Sequence, residues 1–146
     1  MPNWCEGTLK IRGTAKQVLA FVKTAFEAGE YMIDDNNDSH LFVSLKDYAW
    51  LKGSKRAFCS GYIEIGTASE DEKGVAAINF MQAWNIRTED LLRLAQETGV
   101  DLKIYAFEQG VQFNRNIEIV DGEIVKDEHI TFDNYLWDCV CPLIGG

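Results

Sequence analysis

Nothing in this chain approaches the roughly 20 consecutive apolar residues that a membrane-spanning helix requires. The N-terminus lacks a basic region followed by an apolar one, so no signal peptide is expected and the expected location is the cytoplasm. Histidine is scarce, with only His40 and His129 to serve as imidazole ligands or bases. Four cysteines, Cys5, Cys59, Cys139 and Cys141, include no C-x-x-C pair of the kind that zinc frameworks usually show. In a reducing compartment they read as small buried hydrophobes. A four-thiolate site drawing Cys139 and Cys141 together with Cys5 or Cys59 is the one metal alternative, and the expectation is no metal and no other cofactor. The run Asp34-Asp35-Asn36-Asn37-Asp38 lacks the spaced ligands, central glycine and terminal glutamate of a calcium loop, and reads as a solvated turn. No hydrolase elbow, phosphate loop, dinucleotide fingerprint or zinc-protease helix occurs. No catalytic residue is therefore expected, and the chain is not expected to be an enzyme.

What is present is a core. Apolar residues make up 47% of 146 positions, which argues against extensive disorder and suits one domain that buries about two thirds of its unfolded surface. Charge is uneven. Residues 1–60 hold eight Lys/Arg and seven Asp/Glu, a net of +1, whereas residues 61–146 hold six and sixteen, a net of −10. Such a C-terminal part repels nucleic acid and favours basic partners or plain solvation.

Residues 3–12 alternate as a half-buried strand, with Cys5, Gly7, Leu9 and Ile11 on one side. Thr14 and Gln17 form a capping box opening a helix over 14–28, stopped by Gly29. The segment 30–61 is irregular, with a short extra strand at Leu41-Phe42-Val43 and a short helix or apolar anchor at 48–51. Residues 62–66 are expected to form a hairpin with the apolar run 75–84, which carries Ile78, Phe80 and Trp84 on one face. A helix over 88–98 and a strand from Leu102 to Phe107 follow. The Asp121-Gly122 turn joins a C-terminal hairpin, and Asp133 is expected to cap a last short helix. Strand, helix, strand, strand, helix, strand is the ferredoxin-like βαββαβ order. The predicted fold class is α+β: a four-stranded antiparallel sheet with 3–12 and 75–84 inside and two helices on one face. The core is residues 1–114, and a hairpin and short helix over 115–146 add to one edge.

Several stretches carry a resemblance. Met1-Pro2-Asn3-Trp4-Cys5 with Leu9-x-Ile11-x-Gly13, then Gly53-Ser54-Lys55-Arg56, Ile78-x-Phe80-x-x-Ala83-Trp84 and Glu108-x-Gly110-x-x-Phe113, resemble in order the YubB-type family. These are small ferredoxin-like proteins of phages, plasmids and enteric bacteria without an established activity. The chain departs from their pattern at Glu6-Gly7, at Arg56 in place of a tryptophan, and at Asn85-Ile86. The resemblance implies the fold and a mobile-element setting, and brings no catalytic or ligand residues with it.

Trp4, Trp84 and Glu108 lie on the resembling segments and are candidate binding residues, forming an aromatic wall with one carboxylate, or else ordinary core packing. Lys55 and Arg56, with Lys52, make the one basic cluster and alone would hold phosphate weakly. An RNA-recognition domain would share the strand order, but 75–84 lacks its Lys/Arg-Gly-Phe-like sequence, so direct nucleic-acid binding is not expected. The functional expectation is a non-enzymatic phage or plasmid accessory protein that binds a host protein. Its partner would be a nucleic-acid-binding defence effector, inhibited through an acidic surface. The alternative is a small-ligand-binding or enzymatic domain with a pocket near Trp84 and Glu108.

Overall fold

The computed structural model describes all 146 residues. In chain order the elements are β1 (Trp4–Gly13), α1 (Ala15–Ala25), β2 (Tyr31–Asn36), β3 (His40–Leu45), β4 (Ala49–Trp50), β5 (Ala57–Ser60) and β6 (Tyr62–Gly66). They continue with β7 (Gly74–Ala83), α2 (Thr88–Thr98), β8 (Asp101–Glu108), β9 (Phe113–Val120), β10 (Glu123–Ile130) and α3 (Tyr135–Asp138).

The alternating opening residues become the hub of an antiparallel sheet. β1 pairs on one side with β7, from Trp4 opposite Ala83 to Gly13 opposite Gly74, and on the other with β8. The expected adjacency of 3–12 and 75–84 is thus observed. Four strands undercount the sheet, however. Seven strands run in the order β10-β9-β8-β1-β7-β5-β4, and β2-β3-β6 form a second, three-stranded sheet. The C-terminal hairpin extends the large sheet beyond β8, as the Asp-Gly turn predicted.

One pairing differs from expectation. Residues 62–66 pair with β3 in the small sheet, and β5 is the strand beside β7. Gly61, at φ +111°, stands between Ser60 and Tyr62 and separates β5 and β6, strands of two different sheets. That φ is open to glycine and strained for other residues.

Period-2 alternation gives the large sheet two unlike faces. Leu9, Ile11, Ile78, Phe80, Leu102, Ile104, Ile117 and Ile119 point inward and are buried. Thr8, Lys10, Asn79, Lys103 and Tyr105 point outward and are exposed. α1 and α2 supply Val18, Phe21, Val22, Leu91, Leu94 and Ala95 to the inward layer, and Leu41, Val43, Ile63 and Ile65 of the small sheet join the same 31-residue core. The capping box forms as predicted: the Gln17 amide donates to Thr14 Oγ1 at 3.2 Å and the Thr14 amide to Gln17 Oε1 at 2.9 Å. α1 ends at Ala25 rather than residue 28, because Phe26 turns extended and buries its ring. The last helix is capped by Asn134, not Asp133.

At the middle of β1 the strands come unusually close. Gly7 lies opposite Ala106, and a Cβ there would sit 2.1 Å from the Tyr105 carbonyl oxygen. Farther out, Arg115 of β9 is only 8% exposed. It donates to Asn85 Oδ1 (2.6 Å), the Ile86 carbonyl (3.1 Å), Thr88 Oγ1 (3.1 Å), the Glu128 carbonyl (3.2 Å) and Asp127. One guanidinium therefore ties β9 and β10 to the connection between β7 and α2. No helix is long and apolar enough to cross a membrane.

Candidate binding surfaces

The residues singled out in the sequence converge on one end of the central strands. Trp4, at the start of β1, is half-buried. The Arg56 guanidinium lies over its ring, 5.8 Å from the centroid, and Phe58 meets it edge-on at 6.0 Å. Lys55 and Arg56 are exposed. Trp84 follows Ala83 into the same region, and its amide donates to the Asn3 carbonyl at 2.7 Å. Its expected inward position with Ile78 and Phe80 is not observed. β7 ends at Ala83, and Trp84 turns to φ +71°, which throws the ring outward to 56% exposure. Gln82 occupies the last inward position instead.

Glu108 does not form a pocket with Trp84. It has no solvent exposure, and its carboxylate accepts the Gly110 amide at 2.6 Å and the Val111 amide at 2.8 Å. Those bonds close the turn between β8 and β9, a role that leaves the carboxylate no access to a ligand.

The loop carrying Lys55 and Arg56 is held by a buried polar network. Gln82 Nε2 donates to the Lys55 carbonyl at 3.0 Å and to Ser54 Oγ at 3.1 Å, and Ser54 Oγ donates to Asp90 Oδ2 at 2.8 Å. The Ala83 amide donates to the Arg56 carbonyl at 3.1 Å. Both backbones are thus pinned to β7 while the two side chains enter no ion pair. Arg87 and Arg93 lie alongside, but each is engaged by Asp90.

Two hollows share Arg56 and Phe58 in their linings. One, of about 820 Å³, is bordered by Trp50, Lys55 and Arg87; the other, of about 420 Å³, by Trp4, Tyr48 and Met81. Tyr48, Trp50, Phe58 and Arg87 escaped the sequence reading. The signal for the first two is the aromatic pair beside the basic cluster, where a short helix or an apolar anchor is expected and the chain instead forms strand β4. Phe58 shows itself only once β5 is paired, since Trp50, Phe58 and Met81 then stand opposite one another on the outward face.

A second surface has the opposite charge. β10 is the free edge of the large sheet, and its residues from Glu123 to His129 are all exposed. With Asp121 it presents Glu123, Asp127 and Glu128 against the single cation Lys126, and its register is interrupted between Ile124 and Lys126.

The cysteines are all free thiols. Burial pushes the Cys5 thiol up to about 12, against a small opposing pull from Arg115, and burial alone raises Cys59. Both are held protonated and poorly nucleophilic. No three His, Cys, Asp or Glu side chains gather as a metal site. No family model, curated protein or solved structure matches this chain.

Proposed function

We propose that the protein is a non-enzymatic binding protein whose acidic edge strand β10 docks a basic segment of a partner protein. The observation that carries this reading is the free edge itself: an eight-residue strand paired on one side only, so that alternate residues turn backbone donors and acceptors to solvent among carboxylates. Strand addition to such an edge supplies affinity through the backbone and selectivity through the side chains. Two β10 strands would each bring three carboxylates and one lysine, so their net like charge disfavours self-association and favours a basic strand. The resemblance to YubB-type proteins supports an accessory role in a phage or plasmid. The order β8-β1-β7-β5, with α1 and α2 as crossovers, supports a ferredoxin-like unit inside the larger sheet. In this reading the partner is a host defence effector whose nucleic-acid channel the acidic edge occupies, with fast, salt-sensitive association.

The test is capture from bacterial lysate at low and high salt by the wild-type protein and by Glu123→Lys/Glu128→Lys. Asp127 is left intact because it pairs with Arg115. A partner held at low salt, released near 1 M salt, where the screening length is about 3 Å, and lost with the variant is the expected result. No captured protein, or capture indifferent to salt and to the variant, refutes the reading.

A further inference from the structure

The opposite edge of the large sheet carries a site that the acidic strand does not explain. We propose that the cleft between the 53–56 loop and the outward face of β1, β5 and β7 binds a free mononucleotide, with its phosphate on Lys55 and Arg56 and its base on Tyr48, in the hollow that Trp4 borders.

Charge is the first argument. The chain carries a formal −9, yet Lys55 and Arg56 stand side by side with no counterion while a buried network fixes their backbone. Asp90, the acid that borders the larger hollow, is already engaged by Ser54, Arg87 and Arg93 and is buried. Two cations without a carboxylate partner, on a fixed backbone, suit a phosphate.

The rings are the second argument. Tyr48 is 66% exposed and Trp50 47% exposed, and neither ring is paired with another. Large rings held in water beside cations offer faces for a flat base. An anion without a ring leaves these faces bare, and an apolar ligand without charge leaves the cations bare. The smaller hollow, about 420 Å³ and largely apolar in its lining, takes the base; the larger, with Lys55 and Arg87, takes the phosphate. Both volumes fall in the range of small-ligand sites, roughly 300–1,000 Å³.

Backbone strain points to the same place. Tyr48, Arg56 and Trp84 adopt φ of +61°, +53° and +71°. These are left-handed conformations that cost side-chain-bearing residues energy and that collect at ligand clamps. Two of the chain's five such residues, Tyr48 and Arg56, border this cleft.

Charge also decides between a free nucleotide and a strand. At physiological ionic strength the screening length is about 8 Å, so two cations neutralise a phosphate in contact with them, while the next phosphates of a strand meet an acidic protein.

The experiment is calorimetric titration of the full chain with AMP, GMP, CMP and UMP, with adenosine, inorganic phosphate and the oligonucleotide (dA)8 as comparisons. At least one mononucleotide is expected to saturate the protein with one site. Lys55→Gln/Arg56→Asn is expected to weaken it at least about tenfold, with the thermal midpoint retained because asparagine tolerates the left-handed conformation. If that variant fails to fold, Tyr48→Asn, which removes one ring at an exposed position, decides by the same loss. No saturation by about 10 mM of any mononucleotide, or unchanged binding by the variant that folds, overturns the proposal. Inorganic phosphate bound as tightly as the nucleotide overturns the ring contribution, adenosine bound as tightly overturns the cation contribution, and tighter binding of (dA)8 overturns the free nucleotide.

Discussion

Replacing Arg115 with methionine, which keeps an unbranched apolar stem but removes every donor, should cost about 3–5 kcal/mol of folding stability. The figure follows from what would be left behind. Five acceptors face the guanidinium, and five bonds to a charged donor at about 1.5–3 kcal/mol each would exceed half the stability of an ordinary domain. That sum overstates the loss. Asp127 is 36% exposed and would regain water, and Glu128 sits on the exposed edge strand. The Ile86 carbonyl and Thr88 Oγ1 lie in buried bonds with no such recourse, and each orphaned acceptor costs about 1–3 kcal/mol. Urea unfolding should show the midpoint falling with an unchanged slope. Arg115→Lys should fall between, because one ammonium cannot reach five acceptors spread around a planar fork. Asp127→Asn alone should cost less than about 1 kcal/mol, as half-exposed pairs do. A loss below about 1 kcal/mol for Arg115→Met would refute the idea that this guanidinium holds the C-terminal hairpin to the β7–α2 connection.

Two further outcomes are expected. Gly7→Ala should destabilise by about 1–3 kcal/mol or prevent folding, measured in the same denaturant assay, since its Cβ would meet the backbone of Tyr105 rather than a movable side chain. Burial pushes the Asp101 carboxyl up, but the Asp121 amide and the Arg12 guanidinium outweigh it and hold it below its ordinary range. Its stabilisation is therefore present above the unfolded value of about 3.9 and is lost as pH falls further. Asp101→Asn should be less stable than wild type at pH 7, with the difference vanishing in acid; a constant difference from pH 7 to pH 2 would refute the assignment.

The long elements were legible because local chemistry and tertiary role agree there. Strand β1 alternates cleanly, α1 carries its capping box, and the β9–β10 hairpin has its Asp-Gly turn, so each announces both its type and its place. Strand partners were less legible. Ile63 and Ile65 alternate equally well whether they face β7 or β3, and the difference lies in the backbone of Gly61, which no periodicity records. Trp84 misled for a related reason. Extrapolated from Ile78 and Phe80 it belongs inside, but alternation holds only while the strand continues, and the chain turns left-handed one residue past its end. The candidate cleft was half legible. Trp4, Lys55 and Arg56 stand out from their segments, but Tyr48 and Phe58 join them only through pairings between β4, β5 and β7, and Trp84 lies outside the lining. Glu108 was named and proved to serve the turn that follows it.

The central position of β1 has a kinetic side. It is made well before either neighbour: Trp4 pairs with Ala83, and Arg12 with Val75 and Asp101. Leu9 and Ile11 therefore have no strand to pair with until most of the chain has left the ribosome. Closing such long loops before any pairing is rewarded places the chain among slow folders, on the order of milliseconds to seconds. In the interval α1, which follows β1 directly and packs on it, can form and shelter the apolar side of β1. The helix would then act during synthesis as a temporary cover for the strand on which the finished sheet is built.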